Sequence, residues 1–533
     1  MAATEAGALP AGTAERTSAL RARLLTSLPD DRLWGWIWPL LVTAFGAFLR
    51  FDRLSVPHAL IFDETYYAKD AYGILNFGVE HDFVRHVNSV VLHGGTHIFA
   101  GGGEYVVQPP LGKIIIAFGE WLFGLNPFGW RFMPAVFGSL AILMLARIAR
   151  RMTRSTLLGC VAGLLMSLDG LEFVMSRTAL LDIFLMFFVL AAFGCLVIDR
   201  DRSRARLARS LAVRTGGEAG PALGVRWWRV AAGVCLGLAC AAKWDAIWYV
   251  FAFGGMTIAW DIGARRAAGV RAFRRGGLVR DGKWLPLTFG VIPAALYIAS
   301  WSGWFASGIG WDRHYAASQG VRTPVISALY SLYEYHLQMI EFGLTLSKHH
   351  PYESQPWDWL LITRPVAYYY QAPSAGACRT LPNHCSQEVL AIGTPAIWWA
   401  SIAALIVCLG WWLVHRDWRA GAVAWSMAAG WVTWMPLVSR TKFYYYALEF
   451  EPFLILAIVL CTGLIIGSAR AGVARRSAGA AVCGAYLLVV LANFVYLYPI
   501  LAGRVIPYSA WLARMWYHGW ILRTAAHSTG HGK

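Results

Sequence analysis

Charge is what this chain lacks most. Asp, Glu, Lys and Arg make up 14% of its 533 residues, against about 25% in a soluble globular protein. The mean hydropathy is +0.48. A soluble fold is excluded, because apolar runs recur from Leu33 to Ile500 and each is near the roughly 20 residues that cross a bilayer. Cysteine is scarce too: nine in all, mostly inside apolar runs, which excludes a disulfide scaffold. No cleavable signal peptide is apparent. The first 30 residues are polar and Ala/Arg-rich and read as part of a disordered cytoplasmic tail, 1–33. No internal repeat is visible, which weighs against a transporter built of inverted halves.

What is there fits an all-α polytopic membrane protein. Eleven spans are expected: 34–50, 132–149, 155–174, 178–198, 227–243, 246–262, 285–303, 395–414, 420–437, 447–467 and 477–498. The net charge of +17 reads as topology rather than as affinity for nucleic acid. With the N-terminus inside, the cytoplasmic segments hold 28 of the 47 Lys and Arg but only 9 of the 30 acids. That bias sets the orientation. Two large segments then lie outside, 51–131 and 304–394, together with the tail 499–533. The apolar stretch 109–130 is broken by Lys113, Glu120 and several Gly, and reads as an interfacial or re-entrant helix. The stretch 327–343 reads as a helix lying on the membrane. Cys378 and Cys385 share the second outer loop, where a disulfide is expected; a metal pair with His384 is the weaker alternative.

Asp63 and Glu64, in "IFDETYYAKDAYG", face outward soon after the first span. Two carboxylates so close repel, and one holds its proton more tightly. Such a group suits general base work. Arg131, Arg177, Lys243, Arg440 and Lys442 all fall at expected outer ends of spans. Singly each reads as a snorkelling side chain. Together they read as a cationic site for a lipid phosphate. A base beside a bound phosphate leaving group suggests group transfer from a lipid-phosphate carrier.

Seven stretches, in order, carry a family resemblance: "FDETYYAKDA" (62–71), "QPPLGK" (108–113), "WRFMPAVFG" (130–138), "SRTALLDIFLMFF" (176–188), "AAKWDAIW" (241–248), "HPYESQPWDWLLITRPVAYYY" (350–370) and "RTKFYYYALEFEPF" (440–453). The chain resembles the protein O-mannosyltransferases, most closely the actinobacterial type. The resemblance implies a GT-C fold of about eleven spans with two large extracytoplasmic loops. It implies transfer of mannose from a polyprenyl-phosphate carrier to Ser and Thr hydroxyls of secreted proteins at the outer face of the plasma membrane. By resemblance Asp63 is the catalytic base, Glu64 positions a substrate, and Arg131 is the family's arginine after the first loop. His350, Pro351, Tyr352, Trp357 and Arg364 form a substrate-loop candidate. No cofactor and no metal are expected, since a carrier ending in one phosphate needs no ion to neutralise a diphosphate. The expected partners are the lipid-linked donor, secreted polypeptides, membrane lipids and, as a candidate, the protein translocation channel. One displacement inverts the anomeric centre.

Two departures from the eukaryotic pattern stand out. The second outer loop is too short for β-trefoil MIR repeats, and Gln108 stands where the eukaryotic motif has His. Other readings are a GT-C enzyme with a lipid or cell-wall glycan acceptor and, from a different class, a transporter or scaffold.

Overall fold

The computed structural model describes residues 20, 22–24, 29–213, 217–373, 385–468 and 470–521. The chain is a helical membrane domain with a small extramembrane cap. In lipid, every backbone N–H and C=O must find a partner within the segment, so the apolar runs become helices. The principal helices are α1 (Trp34–Phe51), α2 (Glu64–Phe77), α3 (Leu111–Phe123), α4 (Pro127–Thr153), α5 (Thr156–Ser167), α6 (Asp182–Val213), α7 (Trp227–Ala242) and α8 (Ala246–Ala267). They continue with α9 (Phe273–Ser300, which includes two π-turn stretches), α10 (Pro324–Thr345), α11 (Pro395–His415), α12 (Trp418–Trp431), α13 (Glu451–Ile466) and α14 (Val473–Leu501). Each of the eleven expected spans overlaps one of these helices, although 155–174 runs past the end of α5 at Ser167. Seven are long and apolar enough to cross a membrane alone: α1, α4, α6, α8, α9, α11 and α14.

Burial orders them. The apolar window of α6 is 67% buried, whereas that of α9 is 17% buried. Helix α6 is therefore the central post, and α9 presents its side chains to lipid. The expected interfacial segment is α3. Its Lys113 and Glu120 are buried, while Ile114, Phe118 and Trp121 point outward. Helix α10 likewise exposes Val325, Ile326, Leu329, Tyr333 and Leu337, the apolar face expected of a helix lying on a membrane.

The cap contains two antiparallel sheets. One is the hairpin β1 (His81–Phe83) with β2 (Phe99–Gly103). The other has the order β3 (Val366–Gln371), β4 (Cys385–Ala391), β5 (Val505–Pro507). Strand β5 brings the segment after α14 back onto the second outer loop. Trp511 and Trp520 bury themselves there, so the described part of the expected C-terminal tail is packed. Cys385 is disulfide-bonded. Its expected partner Cys378, like His384 and most of the expected N-terminal tail, lies outside the described residues. Among the described residues the other seven cysteines are free.

Candidate active site

The turn after α1 sets the geometry. Phe62 sits at φ 48°, a left-handed backbone rare for a bulky side chain and a mark of functional sites. Stacking holds it there: its ring lies 4.6 Å from Tyr368 at 10° and edge-on to Tyr445 at 5.5 Å. Asp63 follows at the N-cap position of α2, yet its side chain accepts no capping hydrogen bond. The carboxylate is thus released from local duty, and the residue is partly exposed. Burial of the carboxyl pushes its pKa up to about 7; the neighbouring Asp182 carboxylate adds to the rise, and Lys243 and the Tyr445 hydroxyl oppose it. A carboxyl near neutrality accepts a proton efficiently at physiological pH.

Glu64 has the opposite fate. It is fully buried and accepts from the Ile61 backbone N–H at 3.0 Å and the Ala179 N–H at 3.1 Å. The Arg131 guanidinium grips it with a two-pronged fork, Nε to Oε1 at 2.7 Å and Nη2 to Oε2 at 2.8 Å. Arg131 reaches it because Asn126 caps α4, accepting from Phe128 N and Gly129 N with Pro127 in the first turn. The rest of the guanidinium donates to the carbonyls of Leu54, Pro57 and Ala59. An arginine has five N–H donors, and all five are spent on protein. The phosphate contact expected of Arg131 is therefore not available in this arrangement. Arg177 is a second clamp, donating to the carbonyls of Leu49, Arg50, Asp52 and Arg53 at the end of α1. It too points at no open site. Lys442 donates to the carbonyls of Leu437 and Val438.

Lys442 keeps one of its three donors; of the other two expected cations, Lys243 acts on Asp63 and Arg440 on Tyr446. Lys243 leaves the end of α7 in an extended conformation. Its Nζ pairs with Asp182 at 2.7 Å and Asp245 at 3.3 Å, and lies 4.2 Å from the centre of the Tyr446 ring. An ammonium carries three donors, so one is left over. Arg440 is half-buried, with its guanidinium 5.1 Å from the Trp434 ring. Its Nε has no protein partner, and no carboxylate pairs with it among the described residues. Its charge acts on Tyr446, the ring that also carries Lys243.

The segment 350–364 forms one wall. Glu353 bridges to Phe443 through the backbone, and His350 meets the Phe443 ring edge-on at 5.0 Å. His350 Nδ1 accepts from the Tyr352 N–H at 3.2 Å, and burial of the ring lowers its pKa. Pro351 is held by Arg364, which donates to its carbonyl and to Gly519 O at 2.6 Å. Arg364 therefore fixes the loop rather than facing an open site. Trp357 is half-exposed, at 51%.

Sequence reasoning missed Asp182, Asp245, Tyr445 and Tyr446 as members of this site. The signals were present: an acid inside the apolar run "ALLDIF", an acid two residues after Lys243, and three consecutive tyrosines after two cations. It also passed over one Asp-x-Asp triplet, Asp199 to Asp201, the spelling of metal-dependent nucleotide-sugar sites. Those carboxylates are occupied midway along α6, Asp199 by Arg226 and Asp201 by Arg151 and Arg154.

The model of the dolichyl-phosphate-mannose-protein mannosyltransferases matches residues 40–299. The model of the C-terminal four-transmembrane region of protein-O-mannosyltransferase matches residues 328–520. The polyprenol-phosphate-mannose–protein mannosyltransferase of Mycolicibacterium smegmatis (strain MKD8) is 40% identical, over 92% of this chain and 94% of its own. The protein of the same name from Corynebacterium glutamicum is 33% identical, over 96% of this chain and 99% of its own. Among solved structures, the S. cerevisiae protein O-mannosyltransferase Pmt1-Pmt2 complex bound to the sugar donor superposes with a TM-score of 0.69. It covers 95% of this chain and 94% of its own at 14% identity, and so attests the fold. The chain belongs to the protein O-mannosyltransferase family, as a multi-pass membrane glycosyltransferase of GT-C fold.

Proposed function

We propose that this chain transfers mannose from a polyprenyl-phosphate carrier to Ser and Thr hydroxyls of polypeptides at the outer membrane face. The single observation that carries the mechanism is the placement of Asp63. Its carboxyl is free of its own helix, partly open, raised toward neutrality and close to the Lys243 ammonium. The acceptor hydroxyl gives its proton to Asp63 as its oxygen attacks the anomeric carbon. The bond from that carbon to the phosphate oxygen breaks, and the phosphate departs with the electron pair. Arg440 and the remaining donor of Lys243 meet the charge that develops there. One displacement inverts the centre, so a β-linked donor yields an α-linked product. Lys243 also holds Asp182 close to Asp63, which keeps the base from being too weak. No metal takes part in this reading, because the leaving group is a monophosphate met by two side-chain cations.

The charge asymmetry of the sequence supports an N-terminus inside and a site outside the plasma membrane. Polypeptides emerging from the translocation channel meet the site on that face. The test is purified protein in lipid with polyprenyl-phosphate mannose and a Ser/Thr-rich peptide. Mannosyl-peptide is the expected product. Consumption of donor with no peptide product would overturn the polypeptide acceptor.

Arg440 makes a separate prediction. Losing a charged hydrogen bond to phosphate removes roughly 1.5–3 kcal/mol, about tenfold or more in affinity. Arg440→Ala is expected to raise the KM for the lipid donor by at least about tenfold, with the peptide KM unchanged. Steady-state kinetics with each substrate varied in turn reads this. Equal changes in both constants would remove Arg440 from the phosphate.

A further inference from the structure

At the end of the membrane domain opposite Asp63, the structure holds a basic cavity that the transfer reaction does not use. Helix α6 begins beside the site at Asp182 and runs for 32 residues to Val213, across the domain. There a cavity of about 530 Å³ is lined by Arg209, Ser210, Val213, Pro221 and Arg280, among others. It adjoins a second of about 420 Å³, which shares Arg280 and adds Arg275, Lys283, Val279 and Glu218.

The cavity is built on a fixed floor. Arg265 donates to Asp281 Oδ2 at 2.8 Å and to the carbonyls of Ala219 and Pro221 at 2.8 and 3.0 Å. Below it, Arg226 joins Asp199 and Asp261, and Arg229 joins Asp261. The acids of this floor are thus consumed by buried arginines. The rim is different. Arg209, Arg275, Arg280 and Lys283 are exposed and enter no ion pair among the described residues. Among the described residues Glu218 is the one acid on that rim, so four cations stand against one carboxylate.

The surroundings are apolar. Val213 and Val279, in the cavity walls, are 64% and 57% exposed. Leu278, Trp284, Leu287 and Val291 continue an exposed apolar strip along α9, the span with the least buried window. Lys283 rests over the Trp284 ring at 5.2 Å, as residues of a membrane interface do. A soluble anion would use the cations but not the strip. A molecule with a phosphate head and acyl tails uses both.

We propose that this cavity seats the phosphate headgroup of an anionic phospholipid in the leaflet opposite the reaction site, with its acyl chains along α9. Arg275, Arg280 and Lys283 hold the phosphate, and Trp284 marks the boundary between head and tail. The inference rests on the geometry of that face and not on the reaction read for Asp63; its test reads lipid binding, so either can fail alone.

The full-length protein in detergent is titrated with phosphatidylglycerol, and bound lipid is counted by native mass spectrometry. Phosphatidylcholine and inorganic phosphate serve as the other arms. Saturable binding of phosphatidylglycerol over phosphatidylcholine is expected. Cations near such a surface attract anionic lipid, so the triple variant Arg275→Gln/Arg280→Gln/Lys283→Gln is expected to bind it at least about tenfold more weakly. The pair Arg271→Gln/Arg274→Gln, exposed on the same segment but outside the cavity, is expected to bind as wild type. Unchanged binding in the triple variant overturns the site. Equal weakening in the control pair shows diffuse attraction and overturns it too. Displacement of the lipid by an equal concentration of inorganic phosphate shows a free-anion site and overturns the lipid.

Discussion

Asp63→Asn is expected to lower transfer by about a thousandfold, the range over which a positioned general base acts, while the protein stays folded in the membrane. The amide keeps the shape of the carboxyl but cannot take the acceptor's proton. Stability is expected to hold or rise. Folding lifts the Asp63 pKa from 3.8 to about 7, so the folded state binds this proton more tightly than the unfolded chain does. Ionising the group therefore works against folding, and that loss grows as pH rises from about 4 to 7. The neutral amide escapes it. At pH 8 the variant, without substrates, is expected to melt no lower than wild type. A variant that is inactive because it unfolds would melt lower, so peptide-transfer rates and melting curves measured together separate the cases. Near-wild-type turnover would remove Asp63 from the chemistry.

Arg131→Ala is expected to fail for a different reason. The Arg131–Glu64 pair is buried, and its partners tie the turn before Asp63 to α4 and to the segment ahead of α6. Removing one member of such a pair leaves the other charge buried alone, at a cost of about 3–5 kcal/mol. Whole-domain stabilities are about 5–15 kcal/mol, so the loss decides whether the protein is recovered. Arg131→Ala and Glu64→Ala are both expected to give little monodisperse protein and a depressed melting temperature. Arg131→Lys is expected to rescue poorly, because an ammonium cannot replace a planar fork that serves two carboxylate oxygens and three carbonyls. A well-folded Arg131→Ala protein with only its donor KM raised would return this residue to the phosphate.

These two residues show where the sequence was legible and where it was not. Hydrophobic run length places the helices, because lipid leaves an apolar segment no other way to satisfy its backbone. The interruption of 109–130 by Lys113 and Glu120 marks α3 as something other than a span. The "DE" pair singles out the candidate site. What the pair does not reveal is that its two carboxylates part company, one released from capping and the other locked on an arginine. Side-chain partners 67 residues apart, as for Glu64 and Arg131, have no local pattern. The five outer cations look alike in sequence, each a positive charge at a helix end. Only packing separates Arg131, whose donors are spent on carbonyls and Glu64, and Arg177, which donates to four carbonyls, from Arg440, whose Nε has no protein partner. Asp182 was hidden for the same reason: an acid in an apolar run signals a role without naming its partner, and Lys243 lies 61 residues away.

The most direct test of the account is the pH dependence of kcat/KM for the peptide, measured with polyprenyl-phosphate mannose at a fixed concentration. This constant reports ionisation in the free enzyme. The account predicts a rising limb through about pH 7, as the Asp63 carboxyl loses its proton and becomes the base. In Asp63→Asn that limb is expected to vanish along with most of the rate. A wild-type profile flat from pH 5 to pH 8, or the same limb persisting in the variant, would contradict it.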